Sequence, residues 1–477
     1  MAMSTFHIFA AASLLLACSG IAAGLENLAV LRVDRQIKIK DFRTMHKTDV
    51  IYGNRGSEPV STLTWCFPAN VEPGVAVLEV APNRDGTLLP PMQGVLIPEE
   101  TNEEEGLPDD ARCQRLTLPT PLAPGEQTIV AAASIVVGQL EAYPASAPAG
   151  TPPLARLLDS AAFYSPYPVE YQTLKVDLPS PPRDLEAPGI RVVKSDKAVA
   201  LWLNERDNQV SVLPPFTHKP FFVQFEAGSG FALGKSVDIT YTIESSGEAR
   251  VDEEYSLRNM GPSVEGEWSR LDFSMTNARG QAITAFVTRG LPLPVKDLYF
   301  RDAIGNISSS VIHRDSKQNV RGSDGVLAAM LQPRFPLMGG WSTSFKFGWV
   351  ERAPVEVDVA SGTVSVAYRM APAIYNVPYA YATSRIVLPA GAEVLAIDAP
   401  LSGVAHREEE TYDFLSFVPR PVVVVERAWL VPETNVSVTV RYKPGSTLLP
   451  YVGIALTTLL GIVVAARLLL TSSKGTQ

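Results

Sequence analysis

The chain has 477 residues, with 41 Lys and Arg against 50 Asp and Glu and a formal net charge of −9. That balance argues against nucleic-acid binding, which needs basic surface to neutralise phosphate. Hydrophobic residues make up 46%, too many for a disordered chain, and the length suits two domains better than one core.

Residues 6–17 are apolar and are followed by the small residues Ser19, Gly20, Ala22, Ala23 and Gly24. This reads as a secretory signal, residues 1–23, cut after Ala23 or Gly24. Its n-region is weak, with only the terminal amine and His7 to supply charge. Cys18 leaves with the signal, so Cys66 and Cys113 remain as an even pair in an oxidising compartment, and a disulfide between them is expected.

Short runs punctuated by 39 prolines and 33 glycines follow. Val33, Ile37 and Ile39 alternate with polar residues, as do Val237, Ile239, Tyr241 and Ile243, and again Val436, Val438, Val440 and Tyr442. Period-two alternation of β-branched and aromatic residues predicts half-buried strands. The best helical candidate outside the ends is residues 154–163. The expected fold is mainly β: two tandem, related, β-sandwich-like domains, residues 24–229 and 230–445. Residues 99–110 carry Glu99, Glu100, Glu103, Glu104, Glu105, Asp109 and Asp110 in no EF-hand spacing, and read as a solvated acidic loop. Residues 144–153, rich in Pro, Ala and Gly, read as an exposed connection.

The two halves echo each other. Asn54 and Gly56 match Asn259 and Gly261, Gly125 matches Gly340, Thr173 matches Thr383, Phe216 matches Phe417, and Val237 matches Val438. The offsets are 205, 215, 210, 201 and 201. Similar offsets in the same order predict a duplicated domain.

Residues 448–470 form an apolar run, and no charged side chain occurs from 446 to 466. About 20 apolar residues in a helix cross a bilayer core of about 30 Å. A transmembrane helix over 446–470 and a cytosolic tail over 471–477 are expected. Lys and Arg flank the run on both sides, so the signal peptide must set the orientation. Residues 25–443 then lie in the lumen, where the sequons at Asn306 and Asn435 are possible glycosylation sites.

No catalytic set emerges. The five histidines (His7, His46, His218, His313, His406) show no zinc-like spacing, and no G-x-S-x-G, C-x-x-C, P-loop or G-x-G-x-x-G occurs. The pair Glu253–Glu254 is the nearest thing to glycosidase carboxylates. No catalytic, cofactor-binding or metal residue is assigned.

Two blocks carry more. Tyr299-Phe300-Arg301-Asp302-Ala303-Ile304-Gly305-Asn306-Ile307-Ser308 suits a tight turn at Asp302 and Gly305-Asn306. In Pro333-Arg334-Phe335-Pro336-Leu337-Met338-Gly339-Gly340-Trp341, the side chains of Phe335, Leu337 and Trp341 are expected to anchor a strand in a core. Together with Phe163-Tyr164-Ser165-Pro166-Tyr167-Pro168, these ordered blocks resemble the ribophorin I family, a subunit of the eukaryotic oligosaccharyltransferase complex. The resemblance implies a single-pass type I protein of the endoplasmic reticulum membrane that takes no cofactor of its own. It implies an accessory, non-catalytic role in N-linked glycosylation: stabilising the complex and presenting nascent acceptor chains. The implied partners are the multi-spanning catalytic subunit, other small membrane subunits and nascent polypeptides. Animal members continue into a long cytosolic domain past the point where this sequence ends at Gln477, so the resemblance carries no expectation about ribosome contact. Without the resemblance, a cell-surface adhesion or receptor ectodomain is the leading alternative.

Overall fold

Period-two patterning sets the architecture. In the computed structural model of the protein, residues 27–472 are described except 85, 204, 207–208, 228–230, 268, 270, 272, 274–280, 315–325, 399–403, 415, 417, 435 and 446–448. The signal sequence, the end of the tail and the Asn435 sequon therefore lie outside the described residues.

The chain divides into two compact units. The first runs to Phe231 and takes back Asn259–Ala282 and Met338–Gly340; the second holds Ala232–Arg258, Ile283–Leu337 and the chain from Trp341 onward. Sequence reading gave one cut after residue 229. The return of Asn259–Ala282 has a visible cause, because Ser263–Val264 pairs in parallel with Ser146–Ala147.

Each unit is built on one large mixed sheet. In the first, the order is Arg191–Lys194, Ala198–Leu203, Gln172–Asp177, Leu28–Lys40, Arg43–Asn54, Gln127–Val137, Val75–Arg84, then the short Thr87–Leu88. In the second it is Ala405–Thr411, Arg420–Leu430, Tyr379–Val387, Ala232–Ile243, Glu248–Asn259, Ser342–Arg352, Lys296–Arg301. Ranked by chain position, the seven common strands read 6-7-5-1-2-4-3 in both sheets. The central pair is parallel in both, with Val33 beside Gln172 and Val237 beside Ala382. Smaller four-stranded sheets repeat the agreement. Leu140–Ala142, Leu154–Ser160, Pro220–Glu226 and Pro182–Glu186 take the same order as Val355–Asp358, Thr363–Arg369, Ser437–Lys443 and Glu393–Asp398.

The topology also corrects two of the sequence matches. Val237 lies in the first strand of the second unit and Val438 in its last, so these two are not counterparts. Phe216 precedes Pro220–Glu226, whereas Phe417 precedes Arg420–Leu430, which corresponds to Ala198–Leu203. The offset of 201 arose from shared strand grammar, alternating apolar residues after a Pro-rich turn.

Residues 154–163 are not helical. Leu154–Ser160 is a strand held between Pro220–Glu226 and Leu140–Ala142, with Ala155 and Leu157 fully buried. Pairing on both sides overrides the helix propensity of Leu, Ala and Arg, which is a weak prior.

The core of the second unit gathers Val237, Ile239, Tyr241 and Ile243 with Val423, Val425, Val438 and Val440. Each buried aliphatic side chain contributes about 1.5–3 kcal/mol, so Val423→Ala leaves a cavity that costs about 2 kcal/mol or more.

At the C-terminal end, Leu449–Ser472 is a helix of 24 residues. Its described side chains, residues 455–467, are exposed. Among the described residues, no helix is long and apolar enough to cross a membrane.

Candidate functional site

The two diagnostic blocks meet in one joint. Lys296–Arg301 ends in a turn where the Asp302 N–H donates to the Gly305 carbonyl at 3.0 Å. Asp302 Oδ1 accepts from the N–H groups of Ile304 at 2.9 Å and Gly305 at 3.0 Å. Arg334, from the second block, closes on the same carboxylate with a two-pronged grip, Nε to Oδ2 at 2.9 Å and Nη2 to Oδ1 at 3.1 Å. Planar guanidinium and planar carboxylate match geometrically, which Lys cannot reproduce. Arg334 is the first cause holding the Asp302 carboxyl down at about 2, and the two turn N–H groups add to it.

Around this joint the apolar side chains face outward. Ile304 is 74% exposed, Phe335 54% and Trp341 39%. Of the three residues expected to anchor a core, only Leu337 is buried. Phe335 and Trp341 correct that expectation: Pro336 and the Gly339-Gly340 bend, with Gly340 at φ 79°, break the strand alternation, so that Leu337 and Met338 are buried together while Phe335 and Trp341 are left toward solvent. Asn306 stands exposed on this turn.

The third block has a different role, inside the first unit. Phe163 packs edge-on against Trp65 and Tyr167 against Tyr52. The Tyr167 hydroxyl accepts from the Thr64 N–H at 2.9 Å, and Gln172 Oε1 accepts from the Phe163 N–H at 2.9 Å. A buried loop needs such partners because its peptide groups have lost water.

Cys66 and Cys113 face each other across the antiparallel pair Val60–Pro68 and Ala111–Leu122, with Cα atoms 4.1 Å apart, and the structure joins them in a disulfide. Beside them is a partly open cavity of about 50 Å³, lined by Arg35, His46, Trp65, Ser134 and Asp159 among others. The Arg35–Asp159 ion pair at 3.1 Å is nearly sequestered from water. Burial first, then the Arg35 charge, pushes His46 down to about 4 against the opposing pull of Asp159, so the ring is neutral. Thr44 and Gln139 bracket its Nε2, each at 2.9 Å. The period-two pattern does not reveal this group, because its members come from five separate strands and the connection at Gln139.

Glu253 and Glu254 do not form a catalytic pair. Successive strand residues face opposite sides; Glu254 pairs with Lys346 at 2.6 Å on the surface, while Glu253 is buried. There it accepts from the Tyr255 hydroxyl and from the Ala373 N–H at 3.0 and 3.1 Å. Burial raises its carboxyl to about 7 despite these bonds. Residues 99–110 fold into a short 3-10 turn, Glu99–Thr101, and one α turn, Asn102–Glu105. Arg112 neutralises Glu99, and Arg115 neutralises Glu105. Among the described residues, no group of three or more His, Cys, Asp or Glu is placed to hold a metal ion.

Comparison with known proteins gives this arrangement a context. The family model described as Ribophorin I matches residues 28–470. Dolichyl-diphosphooligosaccharide–protein glycosyltransferase subunit 1A of Arabidopsis thaliana is 28% identical over 432 residues, 90% of this chain and 68% of that protein. Subunit 1B of the same plant is 25% identical over 448 residues, 92% of this chain and 90% of its own length. Subunit 1 of Caenorhabditis elegans is 27% identical over 234 residues, 48% of this chain and 38% of that protein. Among solved structures, an M1 zinc metallopeptidase from Deinococcus radiodurans overlaps 44% of each chain at 14% identity with a TM-score of 0.24, too slight a likeness to carry an argument.

Proposed function

The chain belongs to the ribophorin I family, and from that premise we propose that it is an accessory, non-catalytic subunit of the oligosaccharyltransferase complex. It supports N-linked glycosylation of nascent proteins at the endoplasmic reticulum membrane. The carrying observation is that the family match runs from the first strand to the C-terminal helix. The Asp302–Arg334 joint between its two most diagnostic blocks supports the same reading, since a direct contact explains why both blocks occur together.

In this reading the Leu449–Ser472 helix is the single membrane anchor, residues 1–23 are a signal peptide, and both β units are luminal. The shared strand order supports descent of the two units from one duplicated module. Catalysis sits on a separate multi-spanning subunit. The opposed faces of Glu253 and Glu254 support that assignment. The chain's work is to hold the assembly together, alongside small membrane subunits, and to present acceptor polypeptide. Exposed Asn306 is the better glycosylation candidate on this chain, with Asn435 as a second.

The test is recovery of the tagged, full-length protein in mild detergent followed by identification of its partners. The catalytic oligosaccharyltransferase subunit should co-purify, and its absence sinks the reading. In sealed microsomes, residues 25–443 should resist added protease; digestion of that region removes the luminal topology. Endoglycosidase treatment should increase the mobility of the wild type more than that of Asn306→Gln.

A further inference from the structure

Among the described residues, the large sheet of the second unit ends in a strand with no partner on its outer side. Ala405–Thr411 pairs there with Arg420–Leu430 alone, in antiparallel register from Ala405 beside Glu426 to Thr411 beside Arg420. All seven side chains of this strand are exposed. An edge strand presents alternate N–H and C=O groups outward, a template for a further strand.

The charges on this edge are arranged unequally on its two faces. Arg407 spends its guanidinium on its own side, reaching Glu409 at 2.7 Å and Glu426 at 2.6 Å. On the other face, Glu408 and Glu410 have no ion-pair partner among the described residues. Residues directly opposite in a ladder share a face, so Glu408 lies beside Val423 and Glu410 beside Pro421, at the margin of the buried valine layer. Just past the strand, Tyr412 is 59% and Phe414 92% exposed. Acid here is not demanded by the fold, because the counterpart edge of the first unit, Arg191–Lys194, carries Arg191 and Lys194 instead.

We propose that the Ala405–Thr411 edge receives, as an added strand, an extended polypeptide segment with Lys or Arg at alternate positions and apolar residues between. A cation opposite Glu408 and another opposite Glu410 meet the two unpaired carboxylates at cross-strand distance. Their methylene stems lie along the margin of the valine layer while the charged heads stay in water. The apolar residues between the cations fall on the opposite face, beside Arg407 and Glu409, where they favour an extended backbone. This deepens the acceptor-presenting role proposed above, and rests on that role only for the source of the segment.

The full-length protein in a zwitterionic detergent is titrated against a fluorescein-labelled peptide of alternating Lys and Val, with empty micelles as baseline and anisotropy as readout. Binding should weaken about tenfold or more in Glu408→Lys/Glu410→Lys, and should fall as salt is raised. The alternating Glu and Val peptide should bind at least that much more weakly to the wild type. A Lys and Val peptide methylated on alternate backbone nitrogens should lose binding, because it can no longer complete a ladder. Equal affinity for both signs of peptide, an unchanged affinity in the double variant, or full binding of the methylated peptide each overturns the proposal. Both substitutions are on the surface, so an unaltered melting temperature shows that the variant is folded. If the catalytic subunit co-purifies but the peptide does not bind, the edge proposal fails alone. If the peptide binds but the complex is not recovered, the edge proposal stands and the accessory-subunit role fails.

Discussion

Asn54 and Asn259 share three bonds made from the same place in two different strands. In each, Oδ1 accepts from a glycine N–H two residues on, Gly56 or Gly261, at 2.9 Å. In each, Nδ2 donates to a distant carbonyl, Leu122 at 2.9 Å or Gln281 at 3.2 Å. The backbone carbonyl of each accepts from a glycine with positive φ, Gly125 at φ 77° or Gly340 at φ 79°, both at 2.8 Å. Each asparagine thus locks the end of its strand onto a segment far away in the sequence.

Asn54→Ala and Asn259→Ala should each cost about 2–3 kcal/mol, because truncation strands buried donors and acceptors as well as removing the bonds themselves. Thermal unfolding is the check. Losses no larger than those at exposed sites would show that the locks are dispensable.

Arg334→Lys keeps the charge and loses the fork, so the carboxyl of Asp302 should rise from about 2 toward its ordinary 3.8. Because the folded value is depressed, the joint contributes stability above pH 3.8, and that contribution is lost as pH falls through 2. The pair lies at the surface, with the side chains of Arg334 and Asp302 34% and 16% exposed, so at neutral pH water screens it and the effect on global stability should stay below about 1 kcal/mol. An NMR titration of Asp302 in the two proteins decides the matter, and coincident curves would rule out the fork as the cause.

Glu253 has the opposite sign. Its folded value near 7 lies above its ordinary 4.5, so its contribution is fully present below pH 4.5 and is lost as pH rises from there through 7. About 3 kcal/mol is at stake on an order-of-magnitude scale. Glu253→Gln, which can still accept from Ala373 N–H, should abolish the slope between pH 4.5 and 7 and raise the melting temperature at pH 8. A slope that persists in the variant must belong to another group.

Strand content, the paired cysteines and the Asp302 turn were legible because each is a local pattern: alternation, an even count, turn-forming residues in order. The Asn54 and Asn259 echo was legible for the same reason, since the bonding glycine is only two residues away. Other features depended on long-range partners and were not. Leu154–Ser160 has helix-forming side chains and becomes a strand only because two neighbours flank it. Phe335 and Trp341 look like core residues by composition, and a glycine bend turns them outward. The Arg35, His46 and Asp159 group joins positions that no spacing rule connects.

Removing both cysteines, Cys66→Ala with Cys113→Ala, opens a loop with a sequence separation of 47. In the chain-entropy account this costs the first unit about 4 kcal/mol. Differential scanning calorimetry should show the first unit melting earlier while the second is unmoved. A uniform shift of both would point to a role beyond local crosslinking.

The parallel strand at the middle of each large sheet has a consequence for biosynthesis. Asp34 and Thr173 bond side by side although 139 residues separate them. If the chain is threaded vectorially through a translocation channel, the Leu28–Lys40 ribbon emerges long before the strand that must lie against it. For that interval its apolar face has only hairpin neighbours for cover, so yield during synthesis should depend on luminal chaperones shielding an unfinished sheet.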